Sequence, residues 1–178
     1  MQDFTDTIPS VDETANYSRQ KPDINSFKKE IQIEMTLEIG LVSCVKTKQD
    51  SPAIPRDLYT SSYYQKMRSY AEKEHDEWWI LSAKHGLLDP NGPPIEPYDE
   101  TLTGARVTKK RDWAEMVYQE LKEAGLLDPG IHLVFHAGQD YYSELLPKIR
   151  GLTGVSVEIP TEGLSIGETL SWYKEQNN

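Results

Sequence analysis

Leu37-Glu38-Ile39-Gly40-Leu41-Val42-Ser43-Cys44-Val45 is a short apolar run that gives way to Lys46-Thr47-Lys48. It reads as a buried strand, and the reading of the rest of the chain hangs on it. Downstream, Leu58 to Glu74 places Tyr59, Tyr63, Met67, Tyr70 and Ala71 on one face, which is helix spacing. Trp78-Trp79-Ile80-Leu81-Ser82-Ala83 is a second apolar run, followed by a loop of turn residues, Asp89-Pro90-Asn91-Gly92-Pro93-Pro94. Ala105 to Ala124 reads as a helix with Trp113, Val117, Tyr118 and Leu121 inward and Gly125 as its C-cap. Ile131 to His136 is a third strand, Gln139 to Ile149 a short helix kinked by Pro147, and Val155 to Ile159 a fourth strand. Ser165 to Gln176 is the last helix, with Ser165 and Glu168 at capping-box spacing. The alternation of strand and helix predicts a three-layer α/β/α sandwich. Its sheet is mostly parallel, Rossmann-like, and has four or five strands with right-handed crossovers.

Upstream, residues 1–35 differ. Asp3, Asp6, Asp12, Glu13, Asp23, Glu30 and Glu34 face only Arg19, Lys21, Lys28 and Lys29, among many Ser, Thr, Asn and Gln. That composition predicts a mostly disordered polar leader, with a short helix or added strand over residues 27–35. The single α/β domain is expected over 36–178. The whole chain of 178 residues carries 29 acidic and 19 basic residues, a net charge of −10. Such acidity counts against a surface that grips nucleic acid broadly, though not against a local basic patch. One cysteine, Cys44, excludes an internal disulfide framework and a four-cysteine zinc site. No run approaches a membrane span and the first residues lack a signal-peptide core, so a cytoplasmic protein is expected.

In open parallel sheets, ligands collect beyond the carboxyl ends of the strands. Strand one ends in Ser43-Cys44-Val45-Lys46-Thr47-Lys48, strand two in Ser82-Ala83-Lys84-His85-Gly86 and strand three in His136-Ala137-Gly138-Gln139-Asp140. Beyond strand four lies Gly163-Leu164-Ser165-Ile166-Gly167. Cys44 is a candidate nucleophile, activated by Lys46, Lys48 or a helix start; its plainer reading is a small buried hydrophobe. His85 or His136 could serve as acid or base, or simply bond to loop backbone. Lys46, Lys48 and Lys84 suit a phosphate or carboxylate, and Gly138, Gly163 and Gly167 permit backbone N–H groups to approach an anion. Glu96, Tyr98 and Asp99, after the Pro-rich loop, could form a lid or a plain surface loop. Arg106, Lys109, Lys110 and Arg111 are the one dense basic cluster, either a phosphate contact or a solvated helix face. There is no Cys-x-x-Cys spacing, and no metal site is expected.

Together these segments resemble a known set. Ser-Cys-x-Lys-x-Lys after the first strand, Leu58-Tyr59-x-Ser61, Leu81-Ser82-Ala83-Lys84-His85-Gly86-Leu87, Glu96-Pro97-Tyr98 and Gly163-Leu164-x-Ile166-Gly167 are similar to a family of small prokaryotic α/β proteins known as a domain of unknown function. That resemblance spans about residues 37–175. More distantly, Leu81, Ser82, Gly86, Leu87, Pro97 and Tyr98 resemble a pattern of the YaaA family of peroxide-stress proteins, which implies DNA association. Cys44, Lys48, Tyr59 and Ser62 resemble the catalytic motif of the archaeosine synthase family, with Ser43 in place of its Pro and Gln65 in place of its His. The resemblance implies a nucleobase theme and a ligand site including Ser43, Tyr59, Ser62 and Ser82.

The leading expectation is therefore an enzyme-like pocket for a nucleotide, a modified nucleobase or a nucleic-acid end, with Cys44 as nucleophile. The alternatives are a non-catalytic DNA- or RNA-associated stress protein and a small-ligand binding module. Substrate, cofactor and oligomeric state are left open.

Overall fold

The computed structural model describes residues 35–178. The leader and the element expected over 27–35 fall, but for exposed Met35, outside the described residues. Five strands form one sheet: β1 (Leu37–Ser43), β2 (Glu77–Ser82), β3 (Gly86–Leu88), β4 (Ile131–His136) and β5 (Val155–Glu158), in the order β3-β2-β1-β4-β5. Pairing is parallel except between β2 and β3. The register sets Val42 of β1 beside both Ile80 and His136.

Six helices connect or follow the strands: α1 (Pro55–Leu58), α2 (Ser62–Glu74), α3 (Val107–Glu123), α4 (Gln139–Tyr142), α5 (Leu146–Ile149) and α6 (Ile166–Gln176). α2 starts where the Ser61 hydroxyl accepts the Tyr64 N–H at 3.1 Å, satisfying an otherwise orphan donor. α6 has the full Ser165–Glu168 capping box that its spacing suggested. α2 and α6 pack on each other on one face of the sheet. α3 packs against β3 and α4. The core fills both layers, with Ile39, Leu41, Val42, Met67, Ile80, Leu133 and Phe135 fully or almost fully buried.

Three elements differ from the sequence reading. The helix expected from Leu58 begins only at Ser62, and Leu58 instead closes α1. The segment Ser82-Ala83-Lys84-His85-Gly86 is the turn of a hairpin, because the chain reverses and pairs Ser82 with Gly86. Gly86 takes a positive φ of 69° there, and a Cβ would lie 2.2 Å from the Glu120 carboxylate. The single kinked helix over 139–149 is two separate short ones, with Pro147 in the first turn of the second, where its missing N–H costs nothing. No described helix is long and apolar enough to cross a membrane.

Candidate functional site

β1 leads through α2 toward β2, while β4 leads through α4 and α5 toward β5 on the opposite side. The crevice beyond the carboxyl ends of β1 and β4 is thus the topological switch point, where a doubly wound sheet offers a ligand site. A cavity of about 420 Å³ opens there, within the size range of small-ligand pockets. Ser43, Cys44, Val45 and Lys46 line it from the end of β1; Gly138, Asp140 and Tyr141 line it from the end of β4. Thr101 and Thr103 come from the long loop, Tyr63 from α2 and Ile166 from α6. A second cavity of about 290 Å³ shares Tyr63, Gly138 and Ile166 with it and extends to Thr161, Gly163 and Thr169.

Cys44 is 5% exposed and sits at the cavity wall. The Ala83 N–H donates to its Sγ at 3.3 Å, and the Tyr141 hydroxyl lies 3.3 Å from the sulfur. Burial, then the neighbouring Cys44, pushes the Tyr141 hydroxyl above the usual phenol range, so it stays protonated.

A polar cluster stands beside the cysteine. The Tyr98 hydroxyl is 2.6 Å from the Tyr59 hydroxyl and 2.7 Å from Ser82 Oγ, which also accepts the His85 N–H at 2.9 Å. All three side chains are buried. Burial holds both phenols neutral, well above their ordinary range. Lys48 lies over the Tyr98 ring, its Nζ 4.2 Å from the centroid, and donates to the Val45 carbonyl at 3.0 Å. Burial lowers its pKa, with Cys44, Asp99 and Glu100 opposing. Lys46, Lys48 and Tyr98 border a further cavity of about 300 Å³ that meets the first at Lys46. Exposed Lys84 approaches Glu100 at 4.0 Å. His85 stacks edge-on against Tyr98, and burial with Lys84 lowers its pKa.

The structure thus brings together Ser43, Cys44, Lys46 and Gly138 at one cavity, with Lys48, Tyr59, Ser82, Lys84, His85 and Tyr98 around its flank. It does not bring His136 there. That residue is fully buried on the α2/α6 face, and both ring nitrogens are engaged, by His75 at 2.6 Å and Tyr173 at 2.6 Å. Gly163 lines the second cavity only. Exposed Ser62, Glu96 and Gly167 line none of these cavities. Of the basic cluster, Lys110 is paired with Asp140 and Arg111 with Glu144 at 3.0 Å, so both tie α3 to the segment after β4. His132 and His136 stand four apart, but on a strand that spacing separates them by about 13 Å, and His132 bonds instead to Ser156 and Glu158. Among the described residues no group of three or more His, Cys, Asp or Glu side chains is placed to hold a metal ion.

Sequence reasoning did not single out Tyr63, Thr101, Thr103, Asp140, Tyr141 or Ile166 as site residues. Asp140 and Tyr141 could have been found, because they open the helix that follows a strand end. Thr101 and Thr103 carried no such signal, since only the path of the long loop puts them there.

A family model described as Family of unknown function (DUF6884) matches residues 39–175. A 51-residue stretch is 44% identical to the uncharacterized protein YfjM of Bacillus subtilis (strain 168), covering 29% of this chain and 34% of that protein. The match therefore spans about a third of the length of that curated relative. No solved structure matches.

Proposed function

The chain belongs to this family of unknown function, and on that premise we propose that the cavity between β1 and β4 is an active site for a nucleobase- or nucleotide-like ligand, with Cys44 as its nucleophile. The observation that carries the reading is the position of Cys44 Sγ at the cavity wall, with the Ala83 N–H donating to it and the Tyr141 hydroxyl within hydrogen-bond distance. Hydrogen-bond donors converging on a sulfur support negative charge there as it develops. Tyr141, rather than His136, is then the group placed to donate a hydrogen bond to the sulfur as it becomes a thiolate. Tyr63 and Tyr141 offer rings to a planar heterocycle, and Lys46 offers a cation to an anionic group. The likeness of Cys44, Lys48 and Tyr59 to the archaeosine synthase motif supports the nucleobase theme. A thiol nucleophile also suits a reducing, cytoplasmic setting. Among the described residues, the ion pairs of Lys110 and Arg111 leave Arg106 and Lys109 as the unpaired bases of that helix start, which weighs against nucleic-acid docking as the main role.

The test combines a thermal-shift screen against nucleobases, nucleosides and nucleotides with iodoacetamide labelling of the single thiol. A true ligand raises the melting temperature and slows labelling of Cys44. Cys44→Ala keeps the melting shift but abolishes turnover of that ligand. Labelling that ignores every ligand that binds, or full turnover by Cys44→Ala, overturns the proposal.

A further inference from the structure

The opposite end of β1 and the end of β4 are joined by a buried string of titratable side chains that the cavity does not use. Glu38 Oε1 lies 2.5 Å from His75 Nδ1, His75 Nε2 lies 2.6 Å from His136 Nε2, and His136 Nδ1 lies 2.6 Å from the Tyr173 hydroxyl. The string starts at a half-exposed carboxylate and ends on α6. The packing is built around it: a Cβ on Gly40 would stand 2.4 Å from His75 Cδ2. We propose that Glu38, His75, His136 and Tyr173 form a proton-controlled latch, which holds α6 in place as a wall of the candidate site and releases it on acidification. The latch is a property of the fold and does not depend on the nature of the ligand.

The reason is a count of hydrogens. Only one fits between two Nε2 atoms 2.6 Å apart. With both imidazoles neutral, one Nε2–H donates to the other ring and the string is satisfied from end to end. One added proton is tolerated: it makes His75 a cation whose two N–H groups point at the Glu38 carboxylate and at His136, while His136 donates to Tyr173. A second added proton puts N–H against N–H and two positive charges in the interior, so the link must break.

Among the described residues, no carboxylate besides Glu38 is hydrogen-bonded to the pair. From α2 comes Tyr70, its ring 5.7 Å from His75 and 5.2 Å from His136. From α6 come Tyr173 and, beyond Tyr70, Trp172. From β1 comes Glu38, while Glu74 of α2 and Glu158 of β5 act on Tyr70. His132 of β4 is engaged by Ser156 and Glu158. Burial, then the adjacent His75, presses His136 toward its neutral form, which is the closed state. Besides the string, Tyr63 and Tyr70 of α2 pack against Trp172 and Tyr173 of α6, Lys73 donates to the Gln176 carbonyl, and the amide of Asn177, just past α6, donates to the Lys66 carbonyl. Because α6 supplies Ile166 to both cavities and Thr169 to the smaller one, release removes part of the site's wall.

The experiment uses the full chain labelled with 5-fluorotryptophan, whose four resonances are assigned by single replacements and followed by ¹⁹F NMR from about pH 8 down to about pH 3, where the closed form of His136 itself takes up a proton. The expected result is that the Trp172 resonance changes first, while those of Trp78, Trp79 and Trp113 hold. Imidazole ¹⁵N spectra should show His136 gaining its proton over the same range. Tyr173→Phe keeps the ring and loses the hydroxyl, and should move the transition about half a pH unit or more toward neutral. The double variant His75→Gln/His136→Gln should lack it. The proposal is overturned if all four tryptophans move together, if His136 stays neutral through the Trp172 transition, or if Tyr173→Phe leaves the midpoint where it was.

Discussion

Gly40 shows how much one missing methyl group can decide. Its strand is parallel-paired on both sides, so the backbone cannot yield. The imidazole of His75 occupies the space where a side chain would stand. Gly40→Ala is therefore expected to destabilise the protein by about 1–3 kcal/mol, as overpacking of a tight core does, with a lower urea midpoint and an unchanged slope. From the sequence, Gly40 was one apolar letter in a strand, and His75 was the residue after a helix. Nothing local joins them, since 35 positions separate the two and only the β1–α2–β2 crossover closes the gap. Cys44, Ser43 and Lys46 were legible because they follow one strand in order, and strand ends converge whatever the connections do. His136 was legible as a strand end too, but it stands level with Val42, below the cavity, where His75 and Tyr173 enclose it, and those partners come from segments distant in the sequence.

At the scale of elements, long periodic segments were readable and short ones were not. α2, α3 and the four parallel strands stand where apolar spacing put them. β3 has three residues, too few for any period, and it arises because Ser82 Oγ takes the His85 N–H and turns the chain back. α4 is a single turn whose Tyr141 reaches Cys44, and a four-residue helix leaves no amphipathic signature. α6 is the opposite case, announced by its capping box. Ser165→Ala removes one half of that box and is expected to cost about 0.5–2 kcal/mol, read as faster hydrogen exchange in residues 166–172 than in β1. The basic start of α3 illustrates how charge patterns mislead when read alone. Lys110 and Arg111 looked outward in the sequence, but Asp140 and Glu144, some 30 residues on, meet them in the fold.

For the molecule as a whole, His136 sets a pH dependence of stability whose sign follows from linkage. Its folded pKa is lowered to about 3, against the ordinary 6.5 of the unfolded chain. Between those values the unfolded chain holds a proton that the folded chain does not. Stability is therefore complete above 6.5 and falls as pH drops toward 3, at up to about 1.4 kcal/mol per pH unit. Urea unfolding at a series of pH values should show a plateau near neutrality and a decline in acid. His136→Asn, though less stable at neutral pH, should show a shallower decline, and an equal slope in both proteins would mean that other groups carry it.

The sheet also dictates where the protein is exposed to misassembly. Among the described residues, β3 closes one margin with only three residues, in an antiparallel turn that offers a neighbouring molecule little backbone to zip onto. β5 closes the other with four, Val155 and Val157 half-buried inward and Ser156 and Glu158 outward. Glu158 puts a carboxylate on that margin, and two such margins from different molecules would set like charges together. The acidic character of the chain is thus, at this one position, a guard against strand-by-strand growth of aggregates. Replacing Glu158 with an apolar residue removes that charge and its tie to His132, and is expected to raise concentration-dependent light scattering.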